Sequence, residues 1–199
     1  MSDFKQWNLS NKLSNLTMAL EIYRKIVSLV VKASELARSV GIPNLLQPGL
    51  VKEMIIADHL GHELITTKGG ADAHDIKNPS ILYEYLSCKE GGSGQLDRMF
   101  KEPASEREKS MSRIWRNKMI YYAIFYEDEQ IRAKVIHEIT PEALDSETER
   151  QLDRSRNEIS HVGFSNKWAE ENGRVVYQDP SEIQEANKTL HPTAGNVLL

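Results

Sequence analysis

The stretch from Lys68 to Lys89, KGGADAHDIKNPSILYEYLSCK, constrains this chain more than any other. A Gly-Gly pair opens it, Asp72 and Asp75 follow on a short strand-like run, and Lys77-Asn78-Pro79-Ser80 is a turn signal. Ile81 to Leu86 is then a β-type segment carrying Glu84, and a lysine, Lys89, closes the stretch. Side chains alternate faces along a strand, so Asp72 and His74 share one face, and Leu82, Glu84 and Leu86 share a face of the next strand. Pairing around the Asn78-Pro79 turn brings an aspartate towards Glu84. Two carboxylates at close quarters repel unless one protonates or a cation sits between them. Oxygen ligands with waters completing the shell suit Mg²⁺. Spacing alone equally fits turn aspartates and one exposed strand charge, so a metal site and a structural turn both stand at this point.

The remainder of the chain gives this stretch its setting. With 199 residues, one domain plus an accessory helical arm is the expectation. Apolar residues at 40% and charged residues at 27% are ordinary for a soluble globular protein. The single cysteine, Cys88, excludes an intrachain disulfide and fits a reducing cytoplasm. The N-terminal MSDFKQWNLS lacks the basic-then-apolar order of a signal peptide, and the apolar run near Ile26 to Val31 is too short to span a bilayer, so a cytoplasmic location without a membrane partner is expected. Net charge is −4, yet Arg107, Lys109, Arg113, Arg116 and Lys118 cluster against one acid, Glu108. That stripe fits phosphate contact as well as a solvated helix face.

The element order is helices first, then strands. Leu13 to Val40 carries apolar residues at intervals of three and four, with Ser10 or Asn11 as cap and Gly41 and Pro43 as stop. A second helix is expected from Gly49 to His59, a first strand from His62 to Thr67, and a glycine-rich loop over residues 90–95. Met119 to Tyr126 and Ile131 to Ile139 read as a hairpin. Thr140-Pro141 opens a helix running to about Arg154, since proline suits the first helical position. Ile159 to Phe164 and Arg174 to Tyr177 are short strands, with a helical turn beginning near Ser165. The fold class is therefore α/β in the α+β sense, a mixed central β-sheet flanked by helices. Its parts are an N-terminal helical arm over 1–48, suited to dimerisation, a core over 49–178, and a weakly patterned polar tail over 179–199.

The motif resembles the PD-(D/E)XK nuclease superfamily, and within it the small homodimeric type II restriction endonucleases. Gly70-Ala71-Asp72-Ala73-His74-Asp75 and Tyr83-Glu84-Tyr85-Leu86-Ser87 stand where one branch has Asp-Ala-x-Asp and Tyr-Glu-x-Lys-Ser. Arg116 to Tyr126 is similar to the family's core strand, and the likeness covers roughly residues 49–178. It implies a restriction-endonuclease-like core and a homodimer gripping a palindromic double-stranded DNA site. It further implies Mg²⁺-dependent hydrolysis (Mn²⁺ substituting) that leaves 5′-phosphate ends. By resemblance Asp72, Glu84 and the Tyr85 carbonyl hold the metal, and Lys89 assists catalysis. Glu53 serves as an outer or replacement carboxylate. The departure is at Leu86, where the family has its lysine; a β-bulge would be needed to turn Lys89 towards Glu84. In the alternative alignment Ser87-Cys88-Lys89 matches a Ser-x-Lys variant, with Glu53 or Glu102 as second carboxylate. Asp75 is the fallback first ligand. A repair or recombination nuclease of the same superfamily, and a DNA-binding protein that has lost catalysis, remain rival readings.

Base reading is expected from Ser93, Gln95, Asp97 and Arg98, because glutamine and arginine pair with purine edges, and secondarily from residues 157–165. Arg113, Arg116 and Lys118 would position phosphates. His59, His62 and His74 allow a zinc reading but lack a fourth ligand at a fitting spacing. Cys88 reads as a small buried hydrophobe rather than a reactive thiol, and the tyrosines at 121, 122 and 126 read as sheet core.

Overall fold

Two strands far apart in sequence, Leu82–Lys89 (β3) and Met119–Phe125 (β5), pair in parallel in the middle of the main sheet, in unbroken register from Tyr83↔Met119 to Lys89↔Phe125. Parallel neighbours need a crossover. Here it is made by Ser93–Phe100 (β4) and the helix Ala104–Trp115 (α3). A computed structural model describes residues 2–66 and 70–184, with side chains from residue 18 onward. Leu13, Leu16, Thr67, Lys68, Gly69 and the tail from residue 185 lie outside what is described, wholly or in their side chains.

The chain divides into two compact units, the first ending at Gln47 and the second starting at Pro48. The first contains one long helix, Ser2–Ser39 (α1). It starts well before the expected cap, so Ser10 and Asn11 lie inside it. Gly41, at φ 82, turns the chain beyond its end. Leu20, Tyr23, Val27 and Val30 are exposed along it.

In the second unit the helix Leu50–Leu60 (α2) is followed by His62–Leu64 (β1), Ala73–Asp75 (β2) and β3. After β4, α3 and β5 come Ala133–Ile139 (β6), the helix Pro141–Arg154 (α4), Ile159–Ser165 (β7), the short helix Asn166–Asn172 (α5) and Arg174–Gln178 (β8). The six-stranded sheet runs β1-β2-β3-β5-β6-β8, antiparallel except at β3–β5, and β4 pairs with β7 in a separate two-stranded ribbon. The expected mixed sheet flanked by helices is therefore present. Residues 90–95 are not all loop: Ser93, Gly94 and Gln95 begin β4. Their glycines masked an alternation in which Gly94, Leu96 and Met99 face inward.

Each face of the sheet has its own core. Ile56 and Ala57 of α2 pack on Ala73, Tyr83, Tyr85, Tyr121 and Phe125. On the other face Leu86, Cys88, Ile120 and Tyr122 meet Met111 and Ile114 of α3, Leu144 and Leu152 of α4, and Leu96, Val162 and Phe164 of the ribbon. The α4 start is as read from sequence: Thr140 accepts from Ala143 N–H, and Pro141 occupies the first turn. Asp179, expected to open a loose tail, is instead buried and paired with Arg132 at 2.7 Å.

Tyr122 ties ribbon to sheet. Its hydroxyl donates to Phe164 O at 2.7 Å and accepts from Gly94 N–H at 3.0 Å. A Cβ on residue 94 would come within 2.8 Å of the Tyr122 ring, so only glycine permits this approach. Tyr122→Phe leaves a buried carbonyl and a buried N–H short of a partner, which costs about 1–3 kcal/mol. Urea unfolding should show that loss as a lower midpoint at unchanged slope; a midpoint equal to wild type would mean the two groups find other partners.

Candidate active site

The site forms where β2 leaves β3. Register pairs Ala73 with Tyr83, and one residue earlier Asp72 N–H donates to Tyr83 O at 3.0 Å. There the aspartate side chain takes over from its backbone. Asp72 Oδ2 accepts Tyr85 N–H at 2.7 Å. That bond fixes the carboxylate against β3, next to Glu84.

Glu84 is largely buried and faces the same side as Leu86. Arg116 Nη2 lies 3.3 Å from Glu84 Oε2 and also donates to Gly70 O. Arg116 caps the C-terminus of α3, and the next steps fix its place. Asn117 Nδ2 donates to Arg113 O at 2.9 Å, and Lys118 N–H donates to Leu82 O at 2.8 Å, starting β5 alongside β3. Arg113 Nη1 donates to Asp97 O at 2.9 Å, linking α3 to the ribbon.

Charge follows from this geometry. Burial, then the neighbouring Asp72 charge, push the Glu84 carboxyl up to about 7, with the Arg116 and Arg113 guanidiniums opposing. Asp72 is raised by burial and held down by the Tyr85 N–H and the same two arginines. Glu53, in the first turn of α2, is also raised to about 7, by burial and then by Asp72. The Asp72 charge thus acts on both glutamates.

Of the residues expected at the site, Asp72 and Glu84 are set side by side on β3's edge, and Glu53 feels the Asp72 charge from α2. Lys89 is not. It lies five positions beyond Glu84, roughly 16 Å along the strand, on the opposite face. The unbroken β3–β5 register contains no bulge to turn it back. Its Nζ sits 2.7 Å from Glu127 in an exposed pair at the far end of β3. Asp75 is a turn residue, its Oδ1 accepting the Lys77 and Asn78 N–H groups at 2.8 Å, which holds its carboxyl below the usual range. Glu102 is exposed in the segment between β4 and α3. Leu86 is 3% exposed, packed in the core beneath Gly94.

The recognition candidates lie on the ribbon. Ser93, Gln95 and Asp97 are exposed on its outer face, and Gln95 stands opposite Gly163. Asp97 Oδ1 is 2.8 Å from His161 Nδ1, a residue that the sequence marks only through its segment. Arg98, at φ 53 in the irregularity between Leu96 and Met99, lines a groove of about 300 Å³ with Glu106, Lys109 and Arg113. Lys118 is exposed just before β5.

The histidines are otherwise engaged. His62 Nδ1 is 2.8 Å from the Tyr85 hydroxyl with its ring stacked on Tyr83, His59 stacks on Tyr177, and His74 Nδ1 meets Asp75 O at 3.0 Å. Cys88 is buried among hydrogen bonds to Tyr122 and Asn166, and burial raises its thiol. Among the described residues no three His, Cys, Asp or Glu side chains converge as a metal-binding group. An ion at this site would be held by Asp72 and Glu84, completed by backbone and water oxygens. That donor set fits Mg²⁺, which commonly binds one or two carboxylates and keeps several waters. The raising of Glu84 by the Asp72 charge is what a cation would relieve.

No protein-family model matches the sequence, and no curated protein matches it.

The raised acids give a stability test. Between about pH 4.5 and 7 the folded protein holds protons on Glu84 and Glu53 that the unfolded chain has lost, so stability falls as pH rises through that window. With chelator present, Glu84→Gln should unfold at a higher urea midpoint than wild type at about pH 8, and the gap should close towards about pH 5. A lower midpoint at the higher pH would show that the Arg116 pair outweighs the burial of charge.

Proposed function

We propose that this protein is a Mg²⁺-dependent endonuclease acting on double-stranded DNA, in the manner of a type II restriction endonuclease. The observation that carries the reading is the Asp72–Glu84 pair on neighbouring strands, with Asp72 anchored by the Tyr85 N–H and Glu53 within electrostatic reach. The resemblance of the Asp-Ala-x-Asp and Tyr-Glu segments supports it. When bound, Mg²⁺ (or Mn²⁺) would supply a water of lowered pKa and neutralise charge on the phosphate. Asp72, Glu84 and the Tyr85 carbonyl would hold it. In-line attack on phosphorus with loss of the 3′ oxygen would leave a 5′-phosphate and a 3′-hydroxyl.

The ribbon is well suited to reading bases. A two-stranded β-ribbon fits the major groove, and Gln95 with its glycine neighbour presents an amide over an open backbone. Arg98, Lys109 and Arg113 line the adjacent groove and would hold phosphates that fix register without carrying sequence. A second copy of the chain supports a two-fold site. The exposed α1 residues Leu20, Tyr23, Val27 and Val30 recur at three and four, the spacing of a helix–helix seam. No helix among the described residues is long and apolar enough to cross a membrane.

Leu86 favours a second reading, a DNA-binding protein without catalysis, because a buried leucine cannot do the work of a lysine. Digestion of long duplex DNA with Mg²⁺ or Mn²⁺ separates the two. Discrete bands that vanish in Asp72→Ala, with DNA binding kept, support the endonuclease. Smearing points to a repair or recombination nuclease, and binding without any cutting leaves the catalytic reading wrong. For the partner, the double variant Val27→Glu/Val30→Glu should shift a dimer to a monomer in light scattering; an unchanged mass would remove α1 from the interface.

A further inference from the structure

The core around Leu86 leaves the candidate site without the basic side chain that a charged phosphate transition state calls for. Leu86 shares a face with Glu84 but is sealed under β4, where its Cβ is 3.1 Å from the place a Cβ on residue 94 would occupy. Lys89 is on the other face and engaged by Glu127. The cations whose charge acts on Asp72 and Glu84 come instead from α3 and its C-terminal cap: Arg113 and Arg116. Arg116 is the nearer to Glu84, at 3.3 Å, and it also donates to the Gly70 carbonyl, in the segment that leads into Asp72.

Resting on the endonuclease reading, we propose that Arg116 is a catalytic residue of this site. Its guanidinium would donate to the non-bridging oxygens of the scissile phosphate and offset the charge that develops there. Its placement is structural rather than fortuitous. The α3 C-terminus, the buried Asn117 and the first β5–β3 hydrogen bond set it at the end of β3 that carries Glu84. The planar fork suits phosphate oxygens. An arginine does not give up its proton in a protein, so Arg116 moves none. A water oxygen bonds to phosphorus and releases its proton to solvent, the P–O3′ bond breaks, and the 3′ oxygen takes a proton from solvent. Donors held ready where charge develops commonly do more for such a reaction than any other single effect. Arg113, tied to Asp97 O, would act beside it as a positioning residue between site and ribbon.

The test compares full-length wild type, Arg116→Ala and Arg116→Lys. Single-turnover cleavage of a duplex that wild type cuts is measured with Mg²⁺, and affinity for the same duplex is measured with Ca²⁺. Loss of one such donor is expected to slow Arg116→Ala by about 10²–10³-fold, with DNA affinity changed less than about tenfold. Arg116→Lys, which keeps the charge but not the fork, should fall between the two. A third reading is independent of cleavage. Without DNA, Arg116→Ala should bind Mn²⁺ more tightly by calorimetry, because a competing cation has left Glu84. Cleavage by Arg116→Ala at the wild-type rate overturns the proposal while leaving the endonuclease reading intact. So does a loss of rate matched by an equal loss of DNA affinity, which would make Arg116 a backbone anchor. Wild-type protein that binds DNA but never cuts it overturns both readings together.

Discussion

The hydrogen bond from Tyr85 N–H to the Asp72 carboxylate is the contact on which the middle of the main sheet depends. β3 pairs with β5 along one edge, but β2 pairs with its other edge only as far as Tyr83. The next outward N–H, at Tyr85, would be left in a buried setting without a partner, a costly state. The aspartate side chain supplies the missing acceptor and lets β2 turn away. The same bond sets a carboxylate beside Glu84, so a structural need and a chemical opportunity share one residue.

The electrostatics follow from that placement. Two acids are driven up to about 7 by burial and by the Asp72 charge, and two arginines from α3 and its C-terminal cap oppose the shift at Glu84. Carboxylates raised in this way are in tension with their surroundings, as functional sites commonly are. Arg116 is part of the balance because the parallel β3–β5 pair forces a crossover, and the crossover ends in α3 directly before β5. The topology that makes the sheet also delivers the cation.

The crossover has a further consequence. β4 leaves the main sheet to form the ribbon with β7, held down by Tyr122 and the close approach at Gly94. Its inward residues complete one core and its outward residues, Ser93, Gln95 and Asp97, stand in solvent. Arg113 joins this ribbon to the acid site through the Asp97 carbonyl. A reading surface and a cutting surface would in this way be coupled through one helix.

The elements with strong local signals follow from the chain's own pattern. These include α2, the β5–β6 hairpin, the Thr140-Pro141 start of α4, and the turn that brings Asp72 alongside β3. Their causes are near in the chain: periodicity, caps and turn residues act over a few positions. The same pattern also marks Asp72 and Glu84, since alternation and one turn suffice to bring them together. The place of Lys89 was not legible, because parity along a strand is decided by whether the pairing contains a bulge, and the β5 partner shows none. Gly91 and Gly92 do lie in the turn before β4, but Gly94 also read as loop, because a strand residue lacking a side chain is explained only by what lies over it, here Tyr122. Arg116 looked like one charge in a basic stripe. Its meeting with Glu84 comes from the fold, because it depends on a parallel pairing across more than thirty residues, which no local pattern encodes.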